Sequence, residues 1–327
     1  MKDDIIILGH GSGAGLTRRL IREVFASRFE MPTLDDAACV DHRIAVTTDS
    51  YVVDPLFFPG GDIGRLSVTG TINDLCVCGS EPAYLVAGFI IEEGFSIARL
   101  RQIVDSMQET AMEAGVKIIA GDTKVVERGK CDGVFITTTG IGFRPAGVEL
   151  STRNIEAGDR IVVNGSLGDH TVAIINARQN LGLLPAPQSD CAPLHEIVRI
   201  LLNTTKLRFA RDATRGGVAT ILNEIYEDTG LGLILDESAL PVKQSTSVVC
   251  ELLGLDPLYL ANEGKMVAIV SAATDEMLSQ LQAHRYGWDS AVIGEVTTEV
   301  KGVYLRTSLG SLRPLLMLDS DPLPRIC

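Results

Sequence analysis

Apolar periodicity along this chain switches repeatedly between strand and helix spacing, and that alternation restricts the fold more than any other feature. Residues 43–48, 83–91, 117–120 and 133–141 read as strands, whereas 16–29, 64–78 and 96–114 carry apolar positions at helical spacing. Turn residues punctuate the stretch from Arg144-Pro145-Ala146-Gly147 to Ala157-Gly158-Asp159, and a second series opens at Arg160-Ile161-Val162-Val163. Helices are predicted near 194–202, 217–227 and 274–284, with strands near 231–235, 266–270 and 291–296. Two similar α+β halves meeting near residue 150 follow, without a strong internal repeat. The length, 327 residues, also exceeds what one compact core usually holds.

Composition narrows the function classes. Apolar residues at 46% and charged residues at 22% exclude global disorder. Lys and Arg total 29 against 42 Asp and Glu, and a net charge of -13 argues against a nucleic-acid binder. A phosphate substrate would then arrive with a divalent metal. The opening Met1-Lys2-Asp3-Asp4 is not a basic leader, and the longest apolar run, 83–91, is far short of the ~20 residues of a spanning helix, so no membrane segment is expected. Seven cysteines in no zinc-binding pattern suggest a reduced, cytoplasmic protein whose thiols mostly act as small buried hydrophobes. The last nine residues, with two prolines and no periodicity, are expected to be an extended, mobile tail reaching roughly 30 Å and ending in Cys327.

Chemistry concentrates in acidic clusters beside turns or strand ends: Asp35-Asp36, Thr48-Asp49-Ser50, Asn73-Asp74 and Gly121-Asp122-Thr123-Lys124. Carboxylates suit Mg2+, which bridges protein acids and nucleotide phosphates, and Lys124 would add a point charge there. Each acid alone is as readily a turn or cap residue; four clusters together favour a metal–phosphate site. The glycine-rich segment 9–15, with Gly11 and Gly13, is neither a Walker A loop nor a dinucleotide fingerprint. Asp212-Ala213-Thr214-Arg215-Gly216-Gly217 opens a helix, and capping explains all of it except Arg215. Glu263 is a turn residue, a general base or a ligand. Cys327 is either a chance tail residue or a tethered nucleophile that carries a group between sites.

These motifs, with the ending Pro324-Arg325-Ile326-Cys327, resemble the HypE family of hydrogenase maturation factors over nearly the whole chain. The acidic motifs alone indicate the wider superfamily of aminoimidazole ribonucleotide synthetase, selenophosphate synthetase and thiamine-monophosphate kinase; the terminus singles out HypE. Ala14 departs from the glycine expected in the His-Gly-Ser-Gly segment. The resemblance implies a two-domain α+β fold of the aminoimidazole ribonucleotide synthetase type: residues 1–155 for ATP, metal and dimerisation, 156–315 as a second α+β domain, and 316–327 as the tail. The N-terminal halves of two copies would pair around a central β-barrel. It implies that a HypF-type carbamoyltransferase loads Cys327, that ATP drives dehydration of the S-carboxamide to a thiocyanate, and that cyanide passes to iron on a HypC–HypD scaffold for the [NiFe]-hydrogenase. On that reading Asp36, Asp49, Asp74 and Asp122 hold Mg2+, while Lys124, Asn73, Asp212, Thr214, Arg215, Gly216, Gly217, Gly11 and Gly13 hold ATP. Glu263 is the leading base, with Asp74 in reserve. The alternatives are a small-molecule synthetase or kinase of the same superfamily, and a non-enzymatic thiol carrier. Selenophosphate synthesis is disfavoured because segment 9–15 has no cysteine.

Overall fold

The computed structural model describes residues 5–29, 35–40, 42–320 and 323–327; the Met1 to Asp4 opening and Asp321 and Pro322 of the tail lie outside the described residues. Gly15–Leu20 (α1) continues through a π-helical turn, Ile21–Ala26, into Ser27–Phe29 (α2). There follow Ala38–Val40 (β1), Ile44–Tyr51 (β2), a small hairpin of Phe57–Phe58 (β3) and Gly61–Asp62 (β4), Ile63–Val77 (α3), Glu81–Glu92 (β5), Ile97–Glu113 (α4), Lys117–Val126 (β6) and Val134–Phe143 (β7). Apart from the hairpin, these strands form one open sheet in the order β1-β2-β7-β5-β6. Only β5 and β6 run parallel, because α4 crosses over between them.

The covered face of this sheet shows in the sequence as alternation: Val134, Ile136 and Thr138 of β7 are all buried. Helix α4 turns Ile103, Met107, Thr110 and Ala111 inward. Helix α3 is different. It starts at Asp62, whose Oδ1 accepts from the amides of Gly64 (2.7 Å) and Arg65 (3.1 Å), and is buried at every position but Arg65. It packs on β2, β5 and β7 and also on the second half of the chain. Thus Asn73 and Asp74 sit inside the helix expected over 64–78, buried within it rather than exposed beside a turn.

The second half contains Arg160–Val163 (β8), Asp169–Gln179 (α5), His195–Thr204 (α6), Leu207–Asp212 (β9), Gly217–Thr229 (α7), Gly232–Asp236 (β10), Gln244–Leu253 (α8), Met266–Val270 (β11), Asp275–Ala283 (α9), Ala291–Thr297 (β12), Val303–Arg306 (β13) and Leu312–Pro314 (β14). Its seven strands make a sheet in the order β14-β13-β10-β12-β8-β11-β9. The halves are both α+β but differ in strand number and order. One apolar core runs across both, from Ile72 and Ile136 to Met266 and Leu281, and takes in Ile326 from the tail.

That last contact corrects the expectation of an extended, mobile tail. The Gly15 and Leu16 amides donate to the carbonyls of Leu318 (3.1 Å) and Asp319 (2.9 Å), and Ile326 is only 3% exposed. Burying an isoleucine is worth about 1.5–3 kcal/mol, enough to hold a short segment down. The cysteines also depart from expectation: Cys76, Cys191 and Cys250 are buried, but Cys39 is exposed and Cys78, Cys131 and Cys327 are half-buried.

Candidate active site

Strand β2, the C-terminal part of α3, the end of β9 and the loop before β11 converge on one cavity of about 230 Å³. It is lined by Asp36, Asp49, Asp74, Asp212 and Glu263, by Thr214 and Arg215, and by Cys327. Alternation along β2 sends Thr47 into the protein and leaves Asp49 half-buried. The single Thr47 hydroxyl lies 2.7 Å from Asp74 Oδ2 and 2.8 Å from the Asp36 carbonyl, tying the two acidic segments together. The Tyr51 hydroxyl donates to Asp49 Oδ2 at 3.2 Å. Arg211 Nε donates to Asp36 Oδ2 at 3.2 Å and its guanidinium also meets Glu224, so among the described residues Asp36 is the one of these acids in direct contact with a cation.

Burial dominates the electrostatics. It pushes Asp74, Asp212 and Glu263 well above the usual carboxylate range and raises Asp36, and the acids reinforce one another: Asp49 and Asp212 act on Asp74, Asp36 and Asp49 on Asp212. Negative charge at Cys327, then Asp49 and Glu263, holds the Arg215 guanidinium above its ordinary value against partial desolvation. Glu263 is 2% exposed and its Oε1 meets no hydrogen-bond partner. Its backbone is locked: the Glu263 amide donates to Asp190 Oδ1 at 3.0 Å, and Asn73 Nδ2 donates to the carbonyls of Ala192 (3.1 Å) and Glu263 (3.4 Å).

The remaining residues singled out in the sequence fall elsewhere. Asn73 is spent on this backbone clamp and also accepts from the Leu194 amide at 2.9 Å. Strand β6 runs past residue 120 to Val126, so Asp122 and Lys124 lie on an exposed strand, paired with each other at 2.6 Å and outside the cavity lining. Gly216 and Gly217 start α7 outside the lining; both have positive φ, and a Cβ on Gly217 would lie 2.5 Å from the Leu258 carbonyl oxygen. Gly11 accepts from Arg215 Nη1 at 2.7 Å and the Gly13 amide donates to Thr17 Oγ1 at 2.9 Å, so this loop braces Arg215. The sequence reading missed Tyr51, Thr47 and Asp190, which carry no motif beyond adjacency to the acids. Among the described residues no three His, Cys, Asp or Glu side chains form a ready metal cage. Mg2+ does not need one, since it binds through one or two carboxylates, waters and substrate phosphates. A set of mutually repelling carboxylates that outnumbers the neighbouring cations, Arg211 and Arg215, fits such an ion.

An acid-lined cavity between two α+β units, with Arg215 and a thiol on its wall, is suited to an enzyme that handles phosphate. The family model for the AIR synthase related protein N-terminal domain matches residues 34–143 and that for the C-terminal domain residues 156–305. Within this class, the chain belongs to the carbamoyl dehydratase HypE family. It is 48% identical to the carbamoyl dehydratase HypE of Cupriavidus necator, over all of this chain and 96% of that one. Its fold is similar to HypE in a crystal structure of the HypE–HypF complex (TM-score 0.88, 45% identity, 91% of this chain and 99% of that chain). It is similar also to hydrogenase maturation protein HypE in complex with ATP (TM-score 0.83, 43% identity, 99% of this chain and 100% of that chain).

Proposed function

We propose that this chain performs the reaction its family is named for, the ATP-dependent dehydration of a carbamoyl group, and that Cys327 carries that group. The observation behind this reading is that Cys327 lines the same cavity as Asp36, Asp49, Asp74, Asp212, Arg215 and Glu263. A HypF-type carbamoyltransferase loads the thiol as an S-carboxamide. The amide oxygen is a poor leaving group; taking the γ-phosphoryl group of ATP turns it into phosphate. Two N–H protons must then go, one leaving with inorganic phosphate and one to a base, so that S-carboxamide and ATP give S-thiocyanate, ADP, phosphate and a proton.

Each residue has a part in this. Arg215 binds phosphate oxygens, its geometry fixed by Gly11. Glu263 lines the cavity, is held above the usual carboxylate range by burial and has an oxygen without a hydrogen-bond partner; as the carboxylate it takes the N–H proton. Asp74 is the reserve. Asp36, Asp49 and Asp74, with Asp212 beside them, hold Mg2+, which when bound offsets phosphate charge. Thr214 contacts the nucleotide.

Residues 1–155, 156–315 and 316–327 serve as nucleotide and dimerisation domain, second domain and tail. Strand β6 exposes an edge bearing Ile118, Ile119 and Val125, which fits pairing with a second copy about a shared barrel. Asp122 and Lys124 on that edge then serve the metal and phosphates at the site of the second copy. The cyano group passes to iron on a HypC–HypD scaffold, in the cytoplasm; among the described residues no helix is long and apolar enough to cross a membrane.

The test is C-terminal-peptide mass spectrometry after incubation with a HypF-type transferase, its carbamoyl donor and ATP–Mg2+. A carbamoyl adduct on Cys327 that loses one water only with ATP is the expected result. ATP consumption with an unmodified tail would transfer the reading to a small-molecule synthetase.

A further inference from the structure

The tail lies in a groove that grips its main chain. The Val52 amide donates to the Cys327 carbonyl and the Asp54 amide to the Arg325 carbonyl, both at 3.3 Å, so the segment just after β2 holds the main chain of the last residues. Helix α5 supplies two further donors. Arg178, near its C-terminal end, reaches the carbonyls of Pro324 through Nη1 (2.9 Å) and of Arg325 through Nη2 (2.7 Å), while Nε and Nη2 also hold the Asp54 carbonyl (2.9 and 2.6 Å). His170, two turns earlier, lies 2.8 Å from the Ile326 carbonyl through Nε2 and 2.8 Å from Ser189 Oγ through Nδ1. A carbonyl only accepts, so Nε2 carries the proton and the neutral ring takes its second bond from Ser189.

Four successive tail carbonyls, 324 to 327, are therefore held. The side chains add anchors: Ile326 is buried in the main core, and Arg325 donates to Val52 O (2.8 Å) and pairs with Asp132 (2.7 Å). Arg325 also adopts φ 56°, a left-handed conformation that a non-glycine residue keeps only when its surroundings enforce it. Neither Arg178 nor His170 lines the acid cavity.

We propose that Arg178 and His170 are positioning residues for the dehydration: together they form a latch on α5 that holds the tail backbone and so presents Cys327 to the cavity. This rests on the reading that Cys327 carries the reacting group. The latch grips carbonyls, not the thiol, so it serves the loaded and the empty tail alike. It opposes loading, which needs the tail outside, and favours dehydration, which needs it inside. Loosening it shifts the two steps in opposite directions.

Timed digestion of the full-length protein with a serine carboxypeptidase, followed by intact-protein mass spectrometry, reads the open fraction without nucleotide or partner. Arg178→Gln and His170→Asn leave the tail sequence unaltered, so the protease's own preference is constant. Trimming should accelerate about tenfold or more in each, and less in Arg178→Lys, which keeps one donor. His170→Asn and Arg178→Lys keep the test open if Arg178→Gln melts early. Wild-type trimming rates in both Arg178→Gln and His170→Asn would overturn the latch. With carbamoyl-loaded protein, single-turnover dehydration at saturating ATP should slow by a similar factor while ATP affinity stays the same. Faster trimming with no water loss from any loaded chain would keep the latch and sink the dehydratase reading instead.

Discussion

Glu263 has the most specific chemistry of any side chain in the cavity, and its surroundings explain why. Burial keeps it from being an ordinary carboxylate, Asp212 and Asp190 raise it further, and Arg215 pulls it back. Replacing it with Gln preserves shape and burial but removes the base. Glu263→Gln should still accept a carbamoyl group on Cys327, with the dehydration rate falling by about 10²–10⁴-fold. Mass spectrometry of the C-terminal peptide would show the carbamoyl adduct accumulating; undiminished water loss would move the base to another group. Asn73 makes a contrasting case. Its amide holds Ala192, Leu194 and Glu263 at once, all buried. Asn73→Ala leaves those groups unpaired at about 1–3 kcal/mol each, so it should lower the melting temperature as well as the rate. A variant with full stability and lost activity would show that Asn73 meets the nucleotide directly.

Elements differ in how plainly the sequence announces them, and the reason is burial symmetry. Helix α4 and strand β7 have one wet face, so their periods are legible in advance. Helix α5 is buried on nearly all sides of its first two turns, and β9 is buried at five of its six positions, so neither carries a stripe; both escaped the sequence reading. The acids of the cavity were legible as a class, because Asp36, Asp49, Asp74 and Asp212 stand in short polar motifs. Their settings were legible only in part. Helical spacing over 64–78 places Asp74 on a helix but not in a buried one, because packing of α3 between two halves is a long-range property, and Asp49 continues a strand expected to end at 48. The start of α7 is an element-scale test. Gly217 has φ 60° and sits against the Leu258 carbonyl, so Gly217→Ala meets both backbone strain and a clash. It should cost about 1–3 kcal/mol of stability and weaken ATP binding by displacing the neighbouring Arg215, measured by denaturant titration and calorimetry. Wild-type ATP affinity would detach Arg215 from the nucleotide. On the opposite side, Ile119→Pro on β6 should yield a monomer by light scattering if that edge pairs with a second copy.

At the scale of the whole molecule, a concentration of raised carboxylates makes stability depend on pH in an unusual sense. Asp36, Asp74, Asp212 and Glu263 all have folded values above their unfolded ones, so the folded chain binds more protons than the unfolded chain. Stability from these groups is full below the unfolded value of about 4 and is lost as pH rises toward and through the folded values. His170 and His195 are depressed by burial and act oppositely: their contribution is present above about 6.5 and disappears as pH falls. Buried thiols such as Cys76 and Cys191 are raised, so they add a pH dependence only from about 8.5 upward. Between roughly pH 6.5 and 8, above the histidine range and below the thiol range, each carboxylate proton that the folded chain still holds costs about 1.4 kcal/mol per pH unit. The melting temperature of the ligand-free protein should fall across that window. In Asp74→Asn/Asp212→Asn it should stay nearly level, and the double variant should be the more stable protein at pH 8. ATP–Mg2+ should stabilise the wild type more at pH 8 than at pH 6.5, because the cation offsets the repulsion that grows as these protons leave. A level wild-type profile, or the same slope in the double variant, would mean that the acids already share their charge through contacts with solvent, and the cavity would then lack the electrostatic tension that favours a cation there.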